Sequence, residues 1–215
     1  MKSFALIRHA STIWNIEKKI QGREDLPLSQ LGKQQAEKWA VILKPVSFDM
    51  ILSSPLIRTQ QTAGIIAEKT GLNIELEDDL REQDFGDWEG KTITDLRAQF
   101  PGTVEAQEKR GWDFCPSNGE SRRRVLERVE GALNRAAEKK GARCLVVTHN
   151  SVMKCLIYNA LELEFDPKQK KVLRPNHLHW LEMQVNKSGW LSNELSISQI
   201  NALDLDLEEQ VPKAG

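Results

Sequence analysis

Two short apolar runs in this chain end the same way. Phe4-Ala5-Leu6-Ile7 stops at Arg8-His9, and Cys144-Leu145-Val146-Val147 stops at Thr148-His149. Each run reads as a buried strand bounded by polar residues, and each is followed by helical patterning. Between them, "DMILSS" (49–54) is a second short strand, and Pro55 sits where a helix opens, running to about Lys69 and ending at Gly71. "NIELE" is a further strand. Ser29 is placed to cap a helix whose Leu31, Ala36, Trp39, Ala40 and Leu43 share a face. "GESRRRVLERVEGALNRAAEKKG" is an amphipathic helix closed by Gly141, and "SVMKCLIYNAL" is a helix directly after the 143–150 strand. "NHLHWLEMQV" and "WLSNELSIS" are late strands joined by a turn at Asn186-Lys187-Ser188-Gly189. Strand–helix alternation to about residue 160 predicts an α/β sandwich with a largely parallel sheet.

The 215 residues, 40% hydrophobic and 28% charged, suit one domain with a sizeable core. That domain is expected over residues 1–200, with a polar tail at 201–215. Residues 81–120, rich in Gly, Pro, Trp and charge, read as an insertion over the sheet edge that binds ligand. Thirty basic against thirty-one acidic residues recommend neither nucleic acid nor membrane as a partner. A small anionic substrate is compatible with that balance, because a local arginine cluster vanishes in a net sum. Cys115, Cys144 and Cys155 are odd in number and lack CxxC spacing, which fits a reduced, cytoplasmic setting. The first apolar run is too short for a signal peptide, and no stretch approaches a membrane span.

In open α/β sheets, ligands bind beyond the carboxyl ends of the strands. His9 and His149 both stand at such ends. Arg8 adjoins the first, and Arg58 falls on the opening turns of the helix after "ILSS". Two guanidinium forks match phosphate oxygens. Their positive field also disfavours protonation of a neighbouring imidazole, and a neutral imidazole is what nucleophilic attack requires.

"RHASTIWN", "QGREDLPLSQLGKQQA", "SSPLIRTQQTA", "LREQDFGDWEG", "GES" and "VVTHNS" follow one another in the order seen in the histidine phosphatase superfamily. From residue 4 to about 160 the chain resembles the branch that holds both cofactor-dependent phosphoglycerate mutases and small-molecule phosphatases. The resemblance implies a three-layer α/β/α sandwich around a mostly parallel mixed sheet. It implies that His9 is the nucleophile that becomes phosphohistidine, with Arg8, Arg58 and His149 around the phosphoryl oxygens. Asn15, Gln21 and Gly22 would complete the substrate pocket. Glu82 would protonate the leaving oxygen and later activate water, with Asp84 as the alternative carboxylate. A carboxyl group partly shielded from water can hold a proton near neutral pH. No metal or cofactor is implied, since arginines and histidines supply the positive charge. The implied partner is a small phosphorylated metabolite, and the oligomeric state, a homodimer included, stays open. "REQDFGDWEG" and the short chain look more like the phosphatases than the mutases. The other readings are a mutase and a non-catalytic phosphate-binding module.

Ala10 stands where many members have glycine, and Asn150-Ser151 where glycines are usual. Asparagine tolerates positive φ, and Ser151 is placed to cap the next helix. His177 and His179 have a spacing that can bind metal but no third ligand near them, which favours strand packing. Arg122-Arg123-Arg124 reads as a mainly solvated face, with one member available to an anionic substrate. Phe85, Trp88, Trp112 and Phe114 are candidates for the pocket wall as well as for packing.

Overall fold

A computed structural model describes residues 2–139, 141, 143–169, 172–185 and 191–206. Its strands are β1 (Lys2–Arg8), β2 (Met50–Ser53), β3 (Ile74–Leu76), β4 (Arg143–Thr148), β5 (His177–Val185) and β6 (Leu191–Asp204). They form one mixed sheet in the order β3-β2-β4-β1-β5-β6. The β1, β2, β3 and β4 strands run parallel, and β5 pairs antiparallel with both β1 and β6. The helices are α1 (Ile13–Ile16), α2 (Gln30–Leu43), α3 (Ile57–Thr70), α4 (Ile93–Gln99), α5 (Thr103–Glu108), α6 (Arg122–Glu138) and α7 (Asn150–Ala160).

Continuous apolar runs are what strands covered on both faces require. Phe4, Leu6, Cys144 and Val146 pack against Val129 and Leu133 of α6 and Val152 and Leu156 of α7. Ala5, Ile7, Leu145 and Val147 pack against Trp39 and Leu43 of α2 and Ala63 and Ile66 of α3. The result is the expected three-layer sandwich. No helix among the described residues is long and apolar enough to cross a membrane.

Several local expectations need correction. Ser29 does cap α2, its Oγ accepting from the Gly32 N–H at 3.1 Å. Leu31, however, is half exposed, and Gly32 takes the inward position. A Cβ at Gly32 would lie 1.9 Å from the Ser11 carbonyl, which accepts from both the N–H and the hydroxyl of Ser29. The close approach of helix to loop therefore reserves that spot for glycine. Helix α3 begins at Ile57 rather than at Pro55, and Asp25 caps it by accepting from the Ile57 N–H at 2.6 Å. Gly71 closes it at φ +72°. Helix α6 ends at Glu138, short of Gly141. Ser151 is not a cap: His149 holds that position, and Asn150 is the first helical residue, with no positive φ.

Within residues 81–120, Trp88 and Phe114 pack with Leu96 and Val104 in a satellite core, and Phe85 packs against them. Trp112 joins the main core, edge-on to Phe165. Packing thus accounts for all four aromatics, with Phe85 only partly buried. The sheet also outlasts residue 200: β6 runs to Asp204, and Leu205 is buried on the α2–α3 side. The turn expected at 186–189 and the tail beyond 206 lie outside the described residues.

Candidate active site

Strand register aligns the carboxyl edge. Arg8 pairs with Thr148, and Ser53 with Val147. One residue further on, the His9 N–H donates to the Thr148 carbonyl at 3.0 Å, and the Ser54 N–H donates to the Val147 carbonyl at 3.1 Å. His9, Ser54 and His149 are thereby fixed at one rim. The two imidazole centroids lie 5.3 Å apart.

His9 is buried, and its Nδ1 lies 2.7 Å from the Ala10 carbonyl. A carbonyl only accepts, so Nδ1 carries the proton and Nε2 keeps its lone pair. Burial, then Arg8, then Arg58 hold this imidazole well below the usual histidine range, so it is neutral at pH 7. His149 is likewise pushed well down, by burial first and then by Arg58, His9 and Arg8. Its Nε2 meets Ser54 Oγ at 2.8 Å.

Arg58 is fully buried. Its Nη1 donates to the Glu24 carbonyl and its Nη2 to the Gly22 carbonyl, each at 2.7 Å. The loop at 22–24 thus grips one edge of the guanidinium. Gly22 has φ +51°, and a Cβ there would sit 1.8 Å from Glu89 Oε1. Thr62, one helical turn beyond Arg58, donates to the Arg58 carbonyl at 2.7 Å and accepts from the Ala10 N–H at 3.1 Å. Burial lowers the pKa of both Arg8 and Arg58, and the charge of Glu82 opposes the drop in each case.

Glu82 is 7% exposed. Its Oε1 accepts from the Gln83 N–H at 2.9 Å and from the Ser151 N–H at 3.2 Å, at the amino terminus of α7. Its bond to the Ser151 N–H, two residues past His149, and its charge acting on Arg8 and Arg58 place the carboxylate near the same rim. Asp84 does not join it: its Oδ1 accepts from the Gly86 N–H at 2.8 Å and closes a turn.

Asn15 Oδ1 accepts from the Thr12 N–H at 2.9 Å in a capping box, so its amide nitrogen is the end left for a ligand. Gln21 is buried with Oε1 unpartnered. Unpartnered and buried as well are Arg8 Nε, Arg58 Nε and His149 Nδ1. Buried polar groups normally find partners. Gln21 Oε1 can only accept, but the nitrogens of Arg8, Arg58 and His149, beside an imidazole with a free lone pair, are the chemistry of an anion seized next to a nucleophile.

The remaining candidates lie elsewhere. His177 Nδ1 donates to the Pro175 carbonyl at 2.7 Å, and His179 Nδ1 accepts from the Asn201 N–H at 3.1 Å. Both serve strand packing on β5. Among the described residues, no group of three or more His, Cys, Asp or Glu side chains is arranged to hold a metal ion. Arg122 is stacked 4.3 Å from Phe114 and 4.1 Å from Phe165, and Arg123 pairs with Asp113. Only Arg124 of that run faces a cleft, of about 520 Å³, shared with Arg23, Asp84, Glu120 and Arg128. Sequence reasoning missed Ser54 and Thr62. The one available signal was Thr62 standing four residues after Arg58, on the same helix face.

Residues 4–196 match the histidine phosphatase superfamily (branch 1). The chain is 33% identical over 215 residues to the probable phosphoglycerate mutase GpmB of Cronobacter sakazakii, covering 94% of this chain and 96% of that protein. Among solved structures it is similar to a mycobacterial glucosyl-3-phosphoglycerate phosphatase, at TM-score 0.80 and 26% identity over 94% of this chain and 100% of that one. It is also similar to the alpha-ribazole phosphatase of Shigella flexneri, at TM-score 0.72 and 27% identity over 91% and 95% of the two chains.

Proposed function

The chain belongs to branch 1 of the histidine phosphatase superfamily, and from that footing we propose that it hydrolyses a small phosphate monoester through a phosphohistidine on His9. The observation that carries this reading is the set of buried donors without partners, Arg8 Nε, Arg58 Nε and His149 Nδ1, around an imidazole whose proton is committed to Nδ1. Phosphoryl transfer spreads charge over the equatorial oxygens, so positioned donors supply most of the rate. His9 Nε2 attacks phosphorus as the ester P–O bond breaks, and Glu82 gives its proton to the departing oxygen. Glu82 then takes a proton from water as that water attacks the phosphohistidine. The P–N bond breaks, inorganic phosphate forms and neutral His9 returns. Asn15 and Gln21 bind at the edge of the phosphoryl group.

The names of the solved neighbours favour hydrolysis, and so does "REQDFGDWEG". The name borne by the relatives supports a second reading, in which the phosphoryl group returns to phosphoglycerate. One assay separates them. The protein is incubated with 3-phosphoglycerate and a trace of 2,3-bisphosphoglycerate, and free phosphate and 2-phosphoglycerate are both measured. A parallel panel offers p-nitrophenyl phosphate, sugar phosphates, glucosyl-3-phosphoglycerate and α-ribazole phosphate. Release of phosphate that His9→Ala abolishes is the expected result. Mutase product with little free phosphate overturns hydrolysis, and silence across the whole panel overturns both enzymatic readings.

A further inference from the structure

The turn that carries Glu82 is gripped from behind by a single guanidinium. Arg128 of α6 donates from Nη1 to the Asp79 carbonyl and from Nη2 to the Glu82 carbonyl at 3.2 Å. The same side chain makes a bidentate pair with Glu120, Nε to Oε1 at 2.8 Å and Nη2 to Oε2 at 2.9 Å. Glu120 returns to the same segment. Its N–H donates to the Asp84 carbonyl at 2.9 Å, and its own carbonyl accepts from Gln83 Nε2 at 2.7 Å. Its Oε2 also accepts from Arg23 Nη2 at 3.3 Å, a side chain of the loop whose backbone grips Arg58. The side chains of Arg128 and Glu120 are 14% and 13% exposed.

We propose that Arg128 and Glu120 are a positioning pair that sets the Glu82 carboxyl at the departing oxygen of the substrate. The inference rests on the phosphohistidine reading and adds to it the device that aims the proton donor. A largely buried ion pair is a poor source of net stability, because desolvation offsets much of its attraction. A planar fork that holds two carbonyls and one carboxylate at once is instead a source of geometry. The carboxyl end of Glu82 is held separately, by the N–H groups of Gln83 and Ser151. Backbone and side chain are therefore fixed from opposite sides. Loosening the backbone grip shifts the carboxyl while leaving Arg8, His9, Arg58 and His149 in place. Lysine cannot replace the fork, since its ammonium is a single point on a flexible stem.

Proton donation matters most when the leaving group is a weak acid. The test compares p-nitrophenyl phosphate with phenyl phosphate, because phenol is a far weaker acid than p-nitrophenol and needs the proton more. Arg128→Lys and Glu120→Gln are expected to lower kcat/KM, which reports the step in which the leaving group departs, by about tenfold or more on phenyl phosphate and by less than about threefold on p-nitrophenyl phosphate. Arg122→Ala, on the same helix but stacked on Phe114 and Phe165, is expected to lower the melting temperature and to leave the ratio of the two substrates unchanged. Equal losses on both substrates, or none on either, overturn the positioning role. If Arg128→Lys does not fold, Glu120→Gln decides alone, since it releases the same grip from the other end. Glu82→Gln and His9→Ala are run beside them. If the kcat/KM of Glu82→Gln shows no dependence on the leaving group, or His9→Ala still turns over, the phosphohistidine reading itself fails.

Discussion

Ser54 and His149, ninety-five residues apart in sequence, meet at 2.8 Å between Oγ and Nε2. The same hydroxyl oxygen accepts from the Leu56 N–H at 3.4 Å. A hydroxyl has one proton and two lone pairs, and with one lone pair engaged by Leu56 its proton can point at Nε2. His149 then carries its own proton on Nδ1, the nitrogen without a partner in the protein. A serine is in this way placed to set the tautomer of a histidine, which the proposed reaction would use as a donor toward the phosphoryl group.

Ser54→Ala is therefore expected to lower turnover of p-nitrophenyl phosphate by about tenfold, less than the ~10²–10³ that deleting an oriented donor outright costs. The fold should persist, since the hydroxyl fills little volume. Steady-state kinetics with a thermal melt on the same sample checks this. Unchanged turnover would show that the tautomer does not matter.

Gly22→Ala should act through two routes at once. Its φ of +51° is costly for alanine, and the new Cβ meets Glu89 Oε1, itself tied to the N–H groups of Arg23 at 2.8 Å and Phe85 at 3.1 Å. Backbone strain of this kind costs about 1–3 kcal/mol. The Gly22 carbonyl also leaves Arg58, so inhibition by inorganic phosphate should weaken. Urea denaturation and a phosphate inhibition constant measure the two effects. A variant with wild-type values for both contradicts the assigned role of this loop.

The third prediction concerns pH. Burial, with help from His177, holds His179 down to about 4. An unfolded histidine titrates near 6.5, so between about pH 6.5 and 4 the unfolded chain binds a proton that the folded chain refuses. Stability is thus fully present above pH 6.5 and declines as pH falls through that window, by about 3 kcal/mol for this one group. His9 and His149, also pushed down, act in the same direction. His179→Gln keeps an acceptor for the Asn201 N–H but does not titrate. Its loss of stability between pH 7 and about 4.5 should be smaller than that of the wild type. Parallel pH profiles for the two proteins would refute the assignment.

The parts of this molecule that were legible in sequence are those written in local patterns. The apolar runs of β1 and β4 announce strands covered on both faces, and their shared ending announces the rim where His9 and His149 meet. Ser29 and Gly71 mark helix ends by their own chemistry. What stayed hidden depends on contacts between distant segments. Leu31 gave way to Gly32 because a loop carbonyl presses on the helix. Ser151 lost the cap because His149 already occupied it, and its N–H went to Glu82 instead. The aromatic residues of the insertion had to be either pocket wall or core, and only three-dimensional packing decides between those. Arg128, one basic residue among many on α6, has nothing in its immediate sequence that points to the Glu82 carbonyl.

The placement of β4 between β1 and β2 has a consequence for how the chain comes off a ribosome. The strand that ends just before His9 and the strand that precedes Arg58 are made early, yet they do not pair with each other; both pair with a strand that begins at Arg143. Until that strand emerges, the first strand has neither of its neighbours, and its apolar faces must wait, in a nascent chain, for partners more than a hundred residues away. The rim that brings His9, Ser54 and His149 together and the parallel part of the sheet are thus joined by the same late strand, so a nascent chain that has not reached His149 holds neither.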